Sequence, residues 1–177
     1  MPDARSSLIQ ALAEAHATLE AVDTASLELA AETIASAPVC FITGQGRSGL
    51  VGRMFAMRLA QLGRPVHAVG EATSPAVNGG DLIVACSGSG ETLTTCFQAE
   101  RGHAHGAAVL AVTSRPISRL ATAADHVVVI PTAPSAQLGS ARFEQALLIV
   151  LDTLASRVAD VLDIPADEIW RRHANLE

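Results

Sequence analysis

The 177-residue sequence predicts an α/β fold: a doubly wound, five-stranded parallel sheet flanked by helices. Three observations predict it. Short β-rich runs alternate with helix-length segments along the chain, the order expected of strands joined by helical crossovers. Those runs are almost wholly apolar rather than alternating, as in Leu82-Ile83-Val84-Ala85-Cys86, the mark of strands covered on both faces. The 49% hydrophobic content is dispersed through Ala, Val and Leu in short blocks, and no run approaches the roughly 18 apolar residues of a membrane span.

The elements follow in order. Residues 6–36 carry Leu8, Leu12, Ala15 and Leu19, then Leu27, Ala30, Ala31 and Ile34, at helical spacing, and predict one or two helices closed by Pro38. Residues 39–43 form the first strand, and residues 49–62 a helix stopped by Gly63 and Pro65. The second strand spans 66–69 and the third 82–86, followed by Ser87-Gly88-Ser89-Gly90 and a helix to about His105. Residues 108–112 are the fourth strand, 117–123 a short helix and 126–130 the fifth strand. A Pro/Ser/Ala loop at 131–138 leads to a long helix over 140–162, whose stripe of Phe143, Leu147, Val150, Leu151, Leu154, Val158 and Val161 reads as core. One domain over 1–177 is expected, made of N-terminal helices (1–37), an α/β core (38–163) and a C-terminal tail (164–177).

Composition excludes several chemistries. All twelve basic residues are Arg; without Lys there is no Schiff-base aldolase, no pyridoxal enzyme and no ordinary P-loop kinase. The absence of Tyr removes phenol as a general acid. At a net charge of −6, with Arg171-Arg172 the longest basic run, no cationic stripe offers itself to nucleic acid. The N-terminal MPDARSSLIQ lacks the basic start and apolar middle of a secretion signal, so a soluble, cytoplasmic protein that binds no membrane is expected. Cys40, Cys86 and Cys96 form no CxxC and read as small hydrophobes, with a catalytic cysteine left open. His103 and His105 are two apart and cannot face one site on a helix, so no metal is read there; His16, His67 and His126 read as packing or surface residues.

In a doubly wound sheet, ligands bind beyond the carboxyl ends of the strands at the topological switch, which directs attention to the loops after strands one and three. The first, Gly44-Gln45-Gly46-Arg47-Ser48-Gly49, matches G-x-G-x-x-G between a strand and a helix, and Glu71 follows where a dinucleotide fold places its ribose-binding acid. A dinucleotide-binding domain is therefore one reading. The second loop, Ser87-Gly88-Ser89-Gly90-Glu91-Thr92, offers three hydroxyls and several amides at a helix start, a place that favours an anion without needing lysine. Ser and Gly before a helix can also be ordinary caps. Two such loops on adjacent sites of one sheet favour a phosphate.

On these residues the chain resembles a known family. S-G-S-G-E-T is similar to the phosphate signature S-x-S-x-x-T of sugar isomerase (SIS) domains, whose sheet has a flavodoxin-like strand order. G-Q-G-R-S-G, the V-G-E-A-T-S-P stretch beginning at Val69, Phe143-Glu144-Gln145 and the ending Arg172-His173-Ala174-Asn175-Leu176-Glu177 resemble the 6-phospho-3-hexuloisomerases. Departures are mild: Glu71-Ala72-Thr73-Ser74-Pro75 stands where relatives often have T-x-T-P, and Ala141-Arg142 replaces apolar residues just before the candidate base.

The resemblance implies an isomerase that moves a carbonyl between C3 and C2 of a hexulose 6-phosphate through an enediol, with no metal or organic cofactor, in the ribulose monophosphate pathway. It implies a carboxylate base and an imidazole partner. Glu144, in the first turn of the last helix, is the candidate base, where enclosure in an apolar pocket would suit proton abstraction; Asp152 and Glu71 are the other carboxylates, and Glu71 could bind sugar hydroxyls. His173 is the candidate for moving protons among the substrate oxygens, from its own or a neighbouring subunit. Ser87, Ser89 and Thr92, with Ser48, Gly46 and Arg47, are the candidate phosphate and sugar ligands. A homo-oligomer, dimer or tetramer, with sites near subunit interfaces is expected, the apolar N-terminal helices supplying an interface. Another sugar-phosphate isomerase and a non-catalytic sugar-phosphate sensor remain alternative readings.

Overall fold

The protein is described as a computed structural model covering residues 3–175. The final Leu176-Glu177 of the family-like ending lie outside the described residues. Helices α1 (Ala4–Glu20) and α2 (Thr24–Ser36) come first, each started by an aspartate: Asp3 accepts from Ser6 N and Asp23 from Ala25 N. The core then runs β1 (Cys40–Gly44), α3 (Gly46–Gln61), β2 (Val66–Ala68), β3 (Leu82–Cys86), α4 (Leu93–Ala104), β4 (Ala108–Thr113), α5 (Arg119–Thr122), β5 (His126–Val129) and α6 (Ala141–Val161). A last helix, α7 (Ala166–Arg171), lies within the stretch read from sequence as the C-terminal tail (164–177), for which no helix is predicted. Its sequence explains it: Pro165 precedes the first turn, Asp167 and Glu168 lie within that turn, and Arg171 pairs back to both at 2.9 and 2.7 Å.

All five strands are parallel, in the order β2-β1-β3-β4-β5. β1 therefore has its successor on one side and β3 on the other, so the chain reverses its winding between β1 and β3. This is the predicted doubly wound sheet. One face is covered by α2, α3 and α6 over a core that includes Ile34, Phe55, Leu59, Leu147 and Leu151; the other is covered by α4 and α5 over Ile83, Cys96, Val109 and Leu120. Burial on both faces is why β3 tolerates no polar residue along its length. The apolar stripe of α6 is buried from Phe143 to Val158, whereas Val161 at its end is 46% exposed, because the helix overruns the edge of the core there.

Two boundaries depart from expectation in a telling way. α3 begins at Gly46, three residues before the predicted start, because the β1–α3 turn is closed backbone on backbone: a Cβ on Gly49 would stand 2.4 Å from the Gly44 carbonyl oxygen. Gly44 and Gly49 thus serve a strand-to-helix turn so tight that no side chain fits, whereas Gly46 stands in open space and is needed for its φ of +57°. α4 begins only at Leu93, leaving the whole Ser-Gly loop non-helical, with Gly90 at φ +67°.

Candidate functional site

The loops after β1 and β3 lie side by side at the sheet's switch point, since β1 and β3 pair along their full length up to Gly44 and Cys86. Each runs directly into a helix, α3 and α4. Whereas Asp3, Asp23 and Ser118 cap α1, α2 and α5 with their side chains, the residues before α3 and α4, Gln45 and Thr92, like those before α6 and α7, make no side-chain cap. The Thr92 hydroxyl turns instead to Ser87 Oγ at 2.9 Å. Capping, the ordinary explanation for Ser and Thr here, does not describe these two helix starts, and their first-turn amides keep the positive character that attracts an anion.

Part of the Ser-Gly cup is closed on itself. Ser87 Oγ accepts from Gly90 N and Ser89 Oγ accepts from Glu91 N, both at 3.2 Å. A hydroxyl that accepts an amide bond still has its own proton to donate, so these contacts orient Ser89 Oγ as a donor rather than consume it. Ser87 is buried, Thr92 half-buried and Ser89 exposed, grading the loop from core to solvent. Ser48, half-buried, has no side-chain hydrogen bond among the described residues.

The first turn of α6 meets this cup through Phe143. A Cβ on Gly88 would lie 2.9 Å from the Phe143 ring, so the absence of a side chain at 88 lets the ring sit on the loop. Glu144 follows immediately and is ion-paired with Arg47 at the start of α3; its side chain is 11% exposed against 69% for Arg47. Arg142 turns from Glu144 toward α1, donating from Nε to Thr18 Oγ1 at 2.7 Å and reaching the carbonyls of Ala133 and Pro134 at 3.4 Å, and lines a hollow beside Ser89. The structure thus brings together Gly46, Arg47, Ser48, the Ser87–Thr92 loop and Glu144.

Three candidates lie elsewhere. Glu71 sits on an exposed turn after the edge strand β2, with β1 between it and β3, and its carboxylate has no hydrogen bond or ion pair among the described residues. Asp152, two turns further along α6, pairs with Arg58 at 3.8 Å in a hollow shared with Leu62 and Ile169. His173 is exposed, stacked on Trp170 with ring centroids 5.9 Å apart, and the neighbouring Arg172 guanidinium lies against Gly63 beyond the end of α3. Arg47 stands at the opposite end of that 16-residue helix, about 24 Å away along its axis. Within one chain His173 and Glu144 are therefore not brought together.

Burial pushes the thiols of Cys40 and Cys86 up to about 11 and about 12, and Cys96 is also raised, mainly by burial. All three are buried, which disposes of the cysteine nucleophile left open by sequence. Among the described residues no group of His, Cys, Asp and Glu is arranged to hold a metal, and no helix is long and apolar enough to cross a membrane. Sequence reading missed Ser114, whose hydroxyl donates to the Gly88 carbonyl at 2.6 Å and braces the cup from β4, and Ser118, packed on Gly90. A Ser directly after the fourth strand was the available signal.

Comparison with known proteins agrees with this fold. The SIS domain family model matches residues 33–157. The chain is 40% identical over 168 residues to a 3-hexulose-6-phosphate isomerase of Mycobacterium gastri, covering 90% of this chain and 84% of that protein. It is 32% identical over 176 residues to one of Bacillus subtilis, covering 94% and 95%. A Methanococcus jannaschii crystal structure, from which the molecular function of 3-hexulose-6-phosphate isomerase was inferred, superposes with a TM-score of 0.86 at 30% identity, covering 94% of this chain and 98% of that one. With its strand order, its paired helix starts and these relatives, the chain belongs to the SIS domain family, in the group of the 3-hexulose-6-phosphate isomerases.

Proposed function

We propose that the protein is an isomerase interconverting D-arabino-hex-3-ulose 6-phosphate and D-fructose 6-phosphate through an enediol, in the ribulose monophosphate pathway. The observation that carries this reading is the joining of two uncapped helix starts at the sheet's switch point with a nearly buried carboxylate, Glu144. A phosphate in the cup receives the first-turn amides of α3 and α4 and the hydroxyls of Ser48, Ser87, Ser89 and Thr92, and the bare backbone at Gly46 allows close approach. Arg47 supplies positive charge at the rim. Glu144 removes the proton from C2 of the hexulose; that electron pair forms the C2–C3 double bond of the enediol as the C3 carbonyl's π pair moves onto O3, and when the double bond opens to make the carbonyl at C2 the carboxylic acid returns its proton to C3. The proton on O2 moves to O3 as the carbonyl forms at C2, the role we assign to His173.

Because His173 lies a helix length from Glu144 in its own chain, it would serve the site of a neighbouring copy. Exposed apolar side chains on α1 (Leu8, Ile9, Leu12) and α3 (Leu50, Met54, Met57) support a homo-oligomer, dimer or tetramer. We take residues 1–177 as one domain working in the cytoplasm, and leave Glu71 outside the site of its own chain.

The test is direct. Purified protein is given 3-hexulose 6-phosphate with a chelator present and no nicotinamide, and fructose 6-phosphate is followed by a coupled assay. Turnover supports the isomerase. Binding of fructose 6-phosphate without turnover would make the protein a sensor, and tight NADH binding would restore the dinucleotide reading.

A further inference from the structure

The SIS match begins at residue 33, so α1 lies outside the common domain, yet α1 is tied into the wall of the site. Glu14 Oε2 accepts from the Ser135 hydroxyl at 2.5 Å and from Gln137 Nε2 at 2.8 Å, while Gln10 Nε2 donates to Oε1 at 3.0 Å. One turn later the buried Thr18 hydroxyl donates to the Glu14 carbonyl at 2.9 Å and accepts from Arg142 Nε at 2.7 Å. Gln137 carries the link onward: its Oε1 accepts from Gln145 Nε2 at 2.8 Å, and Gln145 adjoins Glu144. α1, the 131–140 loop and the first turn of α6 are thus one hydrogen-bonded unit.

The loop needs such an anchor. Among the described residues none of its amides donates to a backbone carbonyl, and Gln137 N is held only by Ser135 Oγ at 2.9 Å. Apart from the Leu138 and Ser140 carbonyls, which accept from Ala141 N and Glu144 N at the start of α6, the bonds that hold it involve side chains. That loop walls a hollow of about 320 Å³ that opens beside Ser89, with Phe143 on one side and Ser114 and Arg115 across from it. The hollow shares Gly88, Ser89 and Phe143 with the cup, while Glu144 lines a neighbouring hollow with Arg47 and Gln145.

We propose that Glu14 is a positioning residue that, from α1, holds the 131–140 loop as the sugar-side wall of the site. It sets how tightly the substrate's carbon chain is gripped, and leaves the phosphate's own ligands alone. This rests on the sugar-phosphate reading above. The bonds from Ser135 and Gln137, with a smaller contribution from Arg142, hold the Glu14 carboxyl down at about 2, so the acceptor stays ionised wherever the enzyme works.

Glu14→Ala, Glu14→Gln and the loop-side double variant Ser135→Ala/Gln137→Ala are titrated calorimetrically with fructose 6-phosphate and with inorganic phosphate. Their kcat, KM and melting temperature are also measured. Glu14→Ala is expected to weaken fructose 6-phosphate and raise KM by about tenfold, the size of one lost charge-assisted hydrogen bond. Inorganic phosphate affinity and kcat should stay within about twofold, and Glu14→Gln within about threefold of wild type, because an amide oxygen still accepts from both donors. If Glu14→Ala does not fold, the double variant reads the same contacts from the other side. Unchanged fructose 6-phosphate binding, equal weakening of both ligands, or a Gln variant as impaired as Ala overturns the inference alone. Wild-type protein that binds neither ligand overturns the isomerase reading, and this inference with it.

Discussion

At the scale of single residues, the site depends on one missing side chain and one ion pair. Gly88 lets the Phe143 ring rest on the Ser87–Thr92 loop, and Glu144, next to Phe143, pairs with Arg47. Glu144→Gln keeps the size and the hydrogen-bonding reach of the side chain but not its basicity. It is expected to lower kcat by about 10²–10⁴-fold while fructose 6-phosphate still binds, measured by the coupled assay and calorimetry together. A Glu144→Gln enzyme with wild-type kcat would move the base to another carboxylate. Ser87, Ser89 and Thr92 could be singled out from sequence because two Gly/Ser loops fall at neighbouring helix starts of one sheet and match the S-x-S-x-x-T signature, and Glu144 through the family resemblance, although Ser, Thr and Glu at helix starts are also ordinary caps. The Arg47–Glu144 pairing could not, since the two residues are 97 positions apart and meet only through the docking of α6 on α3.

Among the elements, the β1–α3 turn and α7 are the two on which the proposed function makes its sharpest predictions. A methyl group at Gly49 would press on the Gly44 carbonyl at 2.4 Å, and both atoms are fixed by backbone. Gly49→Ala is therefore expected to cost about 1–3 kcal/mol of stability by overpacking, read as a lower urea midpoint, and to weaken phosphate binding by displacing α3. A neutral Gly49→Ala would mean the turn has slack. α7 sits against the C-terminal end of α3 and presents His173 away from its own Glu144. Coexpressed Glu144→Gln and His173→Ala chains, each inactive alone, should regain about a quarter of wild-type activity in randomly mixed dimers, since one site of each mixed dimer is whole. No recovery would place His173 outside the chemistry or within its own subunit. The helix α7 was legible only in part: its acidic start and Arg171 suit a helix, but six residues are too few for a periodic pattern to stand out.

For the whole molecule, the fold's closure by α1 should be visible as acid sensitivity. The Glu14 carboxyl is lowered from its ordinary 4.5 to about 2 in the folded chain. A depressed carboxyl contributes stability that is full above the unfolded value and is lost as pH falls toward the folded one. The gap in urea midpoint between wild type and Glu14→Gln should therefore be constant above about pH 5.5 and shrink between about pH 4.5 and 2. A gap that does not narrow over that range would mean that α1 is not held through this charge.

The sequence by itself determined the sheet, its winding and the two loops that matter, because apolar blocks of strand length, glycine turns and helix periods are local signals repeated along the chain. The order β2-β1-β3-β4-β5 puts the switch between β1 and β3, beyond whose ends such sheets bind ligands; the sequence carried that order only through the family resemblance, since right-handed crossovers fix handedness and not order. Only the tertiary structure decided which carboxylate stands at that place. Glu71, Glu144 and Asp152 are chemically alike, and burial beside a neighbouring helix, which no local pattern encodes, separates an exposed turn from a pocket and a helix flank. It also decided that α1 braces the 131–140 loop, because Glu14 and Ser135 are 121 residues apart and come together only when two layers of helix close over one sheet.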